Sequence, residues 1–311
     1  MELQSDLWLD QPDAHERIEE RLAGDLISSD EAARLHTFVD SGFVAFSIDL
    51  DASFSAAFDD DVTSFWTNRP ADLAISPPTT SPTSFRDWDG KVKPPGYRIP
   101  DMHGHSERAL DLYLHPGLFR MVELIYGAPA IAFQSLYFEY GSQQALHRDP
   151  MFVMTKPASH LLASWVALED VTDDCGPLAY VPGSHRLPFF EFTPGSIVCG
   201  HNVTKERRAE FDAATEAAIS ERGLEVAHFT CRRGEAFIWH AGLVHGGIRI
   251  ADRNQTRKSF VTHYCTAAHY RSRTARMNVR DGDGWRRVAS TTETVIERDG
   301  RRGLDNPFRR R

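Results

Sequence analysis

Cysteine is scarce. Only Cys175, Cys199, Cys231 and Cys265 occur in 311 residues, and no two of them form a CxxC pair. That spacing argues against a zinc knuckle or a disulfide framework and fits free thiols in a reducing cytoplasm better. Long apolar runs are lacking as well: none approaches the roughly 18 residues that a membrane span requires. The opening stretch, MELQSDLWLDQPDAHERIEERL, has neither the basic start nor the apolar centre of a secretory signal. A cytoplasmic protein with no membrane partner is therefore expected. A basic excess is also absent, since the formal net charge is −9. With no recognisable nucleic-acid module, that charge argues against a nucleic-acid partner.

What is present reads as globular. Apolar residues make up 41% of the chain and charged residues 25%, enough for a sizeable buried core. The acidic balance hides an asymmetry: residues 271–311 hold twelve Lys or Arg against six Asp or Glu. Charge runs usually face solvent, so a solvated extension is the plain reading; an anion-attracting rim beside a pocket is the sharper one.

Periodicity divides the chain in two. Residues 16–40 predict helices, with SSDEAARLHTFVDSG carrying an N-terminal Ser/Asp, acid in the first turn and Gly42 as a stop. FVAFSI follows as a strand. Residues 76–101, rich in Pro, Ser and Thr, read as a long loop of the kind that forms lids or stays disordered. ERALDLYLHPGLFRMVELIYG predicts one or two further helices. From residue 131 the texture becomes short β-prone runs separated by Gly, Pro and Asp turns, which suggests a sandwich or barrel. The helical pattern at 205–223 interrupts this series as an insertion. The organisation expected is one domain over 1–311, with a helical part at 1–130, a β core at 131–270 and a basic extension at 271–311.

Chemistry enters with ALHRDPMFV. Residues i and i+2 of an extended segment point to one side, so His147 and Asp149 can offer a nitrogen and an oxygen to one ion. Two histidines and a carboxylate on one face of an octahedron leave three open positions, the arrangement of non-haem Fe(II) sites that activate dioxygen. The third ligand is sought in GEAFIWHAGLVHGGI. His245 precedes Gly246 and Gly247, where backbone can approach a ligand closely. His240 competes from five residues earlier, and His160 and His263 have weaker claims. Further on, Arg257 begins an alternating strand and shares a face with Ser259. A guanidinium inside a pocket needs an anion, and its fork suits a carboxylate.

These stretches carry a resemblance. HRDP, CGPLAYVPGSHR and RRGEAFIWHAGLVHGGIRIADRNQTRKSFVTHY occur in the order found in the phytanoyl-CoA dioxygenase family of Fe(II)/2-oxoglutarate-dependent oxygenases, which the chain resembles over about residues 131–270. The resemblance implies a mainly β fold with flanking helices (α+β) around a double-stranded β-helix, a jelly-roll of cupin type. It implies His147, Asp149 and His245 as iron ligands and Arg257 as partner of the 2-oxoglutarate C5 carboxylate, with Ser259 assisting. Gln134 and Trp165 stand on strands that line the co-substrate pocket in relatives, with core packing as their alternative role. Gly176–Pro177 and Pro182–His185 read as architectural turns.

The activity implied is hydroxylation of a small molecule by dioxygen, with 2-oxoglutarate converted to succinate and CO2. Related halogenases lack the carboxylate that Asp149 supplies, which favours hydroxylation; desaturation, epoxidation or cyclisation would use the same ligands. A polar or amphipathic metabolite or natural-product intermediate is the substrate expected, bound by a monomer or homodimer beneath the segments 76–101 and 189–223. The competing classes are a non-catalytic cupin-like binding protein, and a metal-dependent cupin of other chemistry that would not need Arg257.

Overall fold

Helix starts and stops are local. In the computed structural model, which describes residues 5–305 apart from 78–81, 91–92, 95, 154, 156, 201–202, 271–275, 282–283 and 290–293, helices α1 (Ala14–Ala23) and α2 (Ser29–Ser41) open the chain. Ser28 and Glu31 cap α2 reciprocally: Ser28 Oγ accepts from the Glu31 N–H and Glu31 Oε2 from the Ser28 N–H. Gly42, at φ +77°, then turns the chain into strand β1 (Phe43–Ser47).

A long helix follows that the periodicity does not predict, α3 (Ala52–Asn68). Asp51 caps it by accepting from the Phe54 N–H at 2.7 Å, and it buries Phe58, Val62 and Phe65. The run Asp59–Asp60–Asp61 disguised it. Two of those carboxylates are tied to neighbours: Asp59 takes Lys258 Nζ at 2.6 Å and Asp61 takes Ser106 Oγ at 2.6 Å.

Short strand β2 (Ala74–Ile75) precedes the segment expected to be a loop, and β3 (Thr83–Ser84) and β4 (Arg98–Pro100) lie within it. Part of that segment, 78–81, 91–92 and 95, lies outside the described residues. Helices α4 (Glu107–Tyr113) and α5 (Pro116–Tyr126) follow, α5 beginning on a proline as first turns allow. The β-rich part comprises β5 (Ala130–Phe138), β6 (Leu162–Ala167), β7 (Leu178–Tyr180), β8 (Ala227–Phe229), β9 (Glu235–His240), β10 (His245–Gly247) and β11 (Ser259–Thr266), with α6 (Lys205–Glu221) between β7 and β8. After the short α7 (Ala267–Tyr270) come β12 (Arg276–Asp281), β13 (Gly284–Ala289), β14 (Thr294–Arg298) and β15 (Arg301–Asp305).

The main mixed sheet has eight strands in the order β1-β9-β6-β11-β5-β15-β14, with β4 also paired to β5. A smaller sheet, β10-β7-β8, packs on it. Successive residues alternate between two covered faces, so β6 and β11 are buried along their whole length and β9 from Ala236 onward. Ala236 and Ile238, Leu162 and Val166, and Phe260 and Tyr264 face the helices and join the larger apolar core. Their neighbours Phe237 and Trp239, Ala163 and Trp165, and Val261 face the other way, where they meet Leu178 and Phe229 of the smaller sheet. One face of the main sheet is therefore a helix-backed core, and the other holds the cavity described below.

The basic extension is partly structural. Strand β15 runs parallel to β5, with Arg302 opposite Ile131 and Gly303 opposite Ala132, and β14 completes the edge. Leu304 is buried; its carbonyl accepts from Tyr113 Oη at 3.3 Å and from the His103 ring at 2.8 Å. Gly303 permits this because a Cβ there would overlap the Tyr113 ring. The remaining stretches of the extension, 271–275, 282–283, 290–293 and 306–311, lie outside the described residues. No helix among the described residues is long and apolar enough to cross a membrane.

Candidate metal centre

A backbone bridge assembles the site. His147 N–H donates to His245 O at 2.8 Å and His245 N–H to His147 O at 3.0 Å, so the HRD segment pairs with β10. Directly opposed residues of such a pair project their side chains to the same face, and the two imidazole centroids lie 4.5 Å apart. Arg148 is extended (φ −122°, ψ 137°), which returns Asp149 to the face of His147 before Pro150 turns the chain. Glycines 246 and 247 serve this bridge rather than a ligand: a Cβ on Gly246 would lie 2.7 Å from Gln144 O, and one on Gly247 2.7 Å from Gln143 N. The close approach is of the protein's own backbone.

Each histidine is oriented in the same way. His147 Nδ1 lies 2.9 Å from Ala145 O and His245 Nδ1 lies 3.1 Å from Leu243 O, in both cases the carbonyl two residues earlier. A carbonyl only accepts, so each Nδ1 carries the proton and each Nε2 lone pair is directed inward. Asp149 Oδ1 sits 3.5 Å from His245 Nε2 and 3.8 Å from His147 Nε2. Its other oxygen accepts from the Trp239 indole N–H at 2.8 Å. Metal bonds of about 2.1 Å at right angles place neighbouring donors about 3.0 Å apart, so a sub-ångström contraction would close this set on one ion. Donor atoms of all three buried residues lie within 4.8 Å of one another.

The electrostatics suit a cation. Burial, then the neighbouring His245, pushes the His147 imidazole down to about 3, so it stays neutral. Burial would raise the Asp149 carboxyl, but the imidazoles of His245, His263 and His147 outweigh it and hold the group ionised. Burial lowers His245 while Asp149 raises it further, with a net upward shift: the carboxylate draws positive charge into the cluster.

The triad borders a cavity of about 290 Å³ that also holds Trp165, Trp239, Arg257 and His263. Arg257 is 2% exposed. Its Nη1 reaches only Gly176 O at 3.4 Å, its Cζ lies 5.5 Å over the Trp165 ring, and its Nε has no hydrogen-bond partner among the described residues. Burial pushes its guanidinium down to about 10 and does not neutralise it. Ser259 Oγ and Trp165 Nε1 are likewise buried without partners. Ser259 shares a strand face with Val261 and His263, which line the cavity. Gln134 is half-buried opposite His263 in register and outside the cavity lining.

The competing histidines are separated by alternation. His240 follows the cavity-facing Trp239 and points to the opposite side, where Asp10 Oδ2 lies 3.2 Å from its Nε2. His160 meets Asp6. His263 stands nearer than the sequence suggested, with Nε2 3.8 Å from Asp149 Oδ2. Two supports were not read from the sequence at all. Trp239 orients Asp149. Arg148, between His147 and Asp149, points away from them and donates to Leu187 O, Pro188 O and Ser184 O. The PGSH turn and the residues just after it thereby anchor the His147–Asp149 segment, and Ser184 Oγ also accepts from the Val244 N–H at 2.8 Å. Phe192 and Phe211, from the 189–223 insertion, pack on Met151 just beyond Asp149.

The chain is similar to known proteins in sequence and in fold. The model of the phytanoyl-CoA dioxygenase family matches residues 98–259. The chain is 31% identical over 113 residues to phytanoyl-CoA dioxygenase domain-containing protein 1 of Bos taurus, covering 32% of this chain and 37% of that protein. It is 27% identical over 156 residues to 1-deoxypentalenic acid 11-beta-hydroxylase of Streptomyces arenae, covering 46% and 51%. These matches span between about a third and a half of the relatives' length. Among solved structures, the epimerase SnoN in complex with Fe3+, alpha ketoglutarate and nogalamycin RO superposes with a TM-score of 0.55 at 20% identity, over 95% of this chain and 100% of that one. That likeness shows a shared fold.

Proposed function

The chain belongs to the phytanoyl-CoA dioxygenase family, and on that premise we propose that it is an Fe(II)- and 2-oxoglutarate-dependent oxygenase whose iron is held by His147, Asp149 and His245. Bound iron would supply the redox chemistry that couples dioxygen reduction to decarboxylation of 2-oxoglutarate, giving succinate and CO2. The protein's part is positioning and exclusion of water. His147 and His245 present lone pairs fixed by their Nδ1 hydrogen bonds, and Trp239 keeps Asp149 Oδ1 turned towards them. Leu136, Phe138, Leu178 and Val261 make the walls apolar, which strengthens every charge interaction inside.

The observation that carries this reading is Arg257: a buried guanidinium, without a carboxylate partner among the described residues, on the same cavity as the triad. A structural metal site or another cupin chemistry has no need of it. The far carboxylate of 2-oxoglutarate supplies the missing anion, with Ser259 and Trp165 beside it and Gln134 behind. The two packed sheets read as the halves of a jelly-roll, built as one domain. Retention of Asp149 favours hydroxylation, as does the likeness to a hydroxylase. Arg98, Ser142 and Gln144 add polar groups to a lining otherwise rich in Phe152, Val153 and other apolar side chains. That mixture suits an amphipathic small molecule.

Anaerobic calorimetry tests the assignment. 2-Oxoglutarate should bind the Fe(II)-loaded protein and not the metal-free protein, and Arg257→Met should weaken that binding by about 30-fold or more while Fe(II) still binds. Equal 2-oxoglutarate affinity in wild type and Arg257→Met would refute it.

A further inference from the structure

Among the described residues, one other cluster of metal-binding side chains occurs, away from the cavity: Asp6, His160 and His269, with donor atoms all within 4.8 Å of one another. They come from distant parts of the chain. Asp6 precedes the buried Leu7–Leu9, His160 closes the short turn Ala158–His160 before β6, and His269 lies in α7 directly after β11. His160 is firmly seated: its ring stacks on Tyr126 at 5.8 Å, and its carbonyl accepts from Tyr126 Oη at 3.2 Å. Its Nε2 lies 2.7 Å from Asp6 Oδ1, and its ring centroid lies 4.1 Å from that of His269.

One buried hydroxyl orients both rings. Thr266 Oγ1 is 3.3 Å from His160 Nδ1 and 2.5 Å from His269 Nδ1. With its Nδ1 engaged there, His160 turns Nε2 to Asp6. An outer group on one ring nitrogen fixing the other as ligand is the usual supporting arrangement at metal sites. Burial also holds the His160 imidazole below its ordinary value, which keeps it neutral. A divalent cation satisfies all three side chains at once.

We propose that Asp6, His160 and His269 form a second metal site, for a borderline divalent cation of the Zn2+ class that accepts imidazole nitrogen and carboxylate oxygen. Tetrahedral donors at bonds of about 2.0–2.1 Å stand about 3.3 Å apart, inside the range spanned here by 2.7 and 4.8 Å. Asp6 is exposed, so water completes the fourth position. The ion staples the N-terminal segment to the end of β11, and its binding free energy adds to that of folding.

Zn2+ is the probe. Protein stripped with a chelator and dialysed against Zn2+ should hold two ions per chain by elemental analysis, because the triad takes one. The His147→Ala/His245→Ala double variant should hold one, His269→Ala alone one, and the triple variant none. Asp6→Asn, at an exposed position, should repeat the His269→Ala result. Zn2+ should also raise the Tm of the double variant and leave that of the triple variant unmoved, while the two agree without metal. One ion in the wild type, an unchanged count on removing His269, or a Zn2+-dependent Tm rise that survives in the triple variant would each overturn the proposal.

Discussion

Replacing Trp239 with phenylalanine isolates a single interaction. The ring keeps most of its volume between Phe237 and His245, against which it packs at 6.1 and 5.0 Å, but the indole N–H to Asp149 Oδ2 at 2.8 Å is lost. A hydrogen bond to a buried carboxylate is worth about 1.5–3 kcal/mol. In its absence Oδ2 has the His263 ring at 3.8 Å to turn to, which would rotate Oδ1 away from the two Nε2 atoms. Restoring the ligand geometry then costs about the energy of the lost bond, or roughly 10- to 100-fold in metal affinity. Competitive titration of Fe(II), or of Co2+ as an air-stable substitute, measures it directly, and circular dichroism checks the fold. A Trp239→Phe protein with wild-type metal affinity would refute the claim that this indole orients the ligand.

Three other outcomes follow from the same structure. Arg257→Met should raise the KM for 2-oxoglutarate by about 30-fold or more, the cost of leaving a carboxylate unpaired in a buried site, without weakening metal binding; succinate assays at varied 2-oxoglutarate read it. Arg148→Met removes the donor to the carbonyls of Ser184, in the PGSH turn, and of Leu187 and Pro188 just after it and should lower stability by about 3 kcal/mol in urea unfolding. Asp101 is fully buried, and desolvation, opposed by the Ser135 N–H, raises its carboxyl to about 7. Since the folded form holds its proton more tightly than the unfolded chain, Asp101 favours folding most in acid. That contribution falls as pH rises from about 4 through 7, and Asp101→Asn should flatten this part of the stability profile.

Much of this architecture is legible in residue order, and the exceptions have physical causes. Strands β5, β6, β9 and β11 show themselves because each puts apolar residues on both faces of the main sheet. The capping box at Ser28 and Glu31 marks α2 without ambiguity. Helix α3 hides because Asp59 and Asp61 find partners only in the tertiary structure, at Lys258 and Ser106. The β14–β15 hairpin hides for a similar reason: Arg298, Arg301 and Arg302 suggest solvent, yet Gly303 and Leu304 just beyond them dock on β5 and Tyr113. At the centre, the spacing of His147 and Asp149 and the glycines after His245 were readable. The roles of Trp239 and Arg148 were not, because they depend on which carboxylate or carbonyl lies across from them. His240 loses to His245 by a parity that becomes visible only once Trp239 is known to face the cavity.

The central claim is that one buried cluster turns over 2-oxoglutarate with iron. Succinate formed per enzyme in the presence of Fe(II), 2-oxoglutarate and dioxygen, compared between wild type and His245→Ala, tests it most directly. The account predicts Fe(II)-dependent succinate in the wild type and none above background in His245→Ala. Wild-type succinate formation by His245→Ala would contradict it.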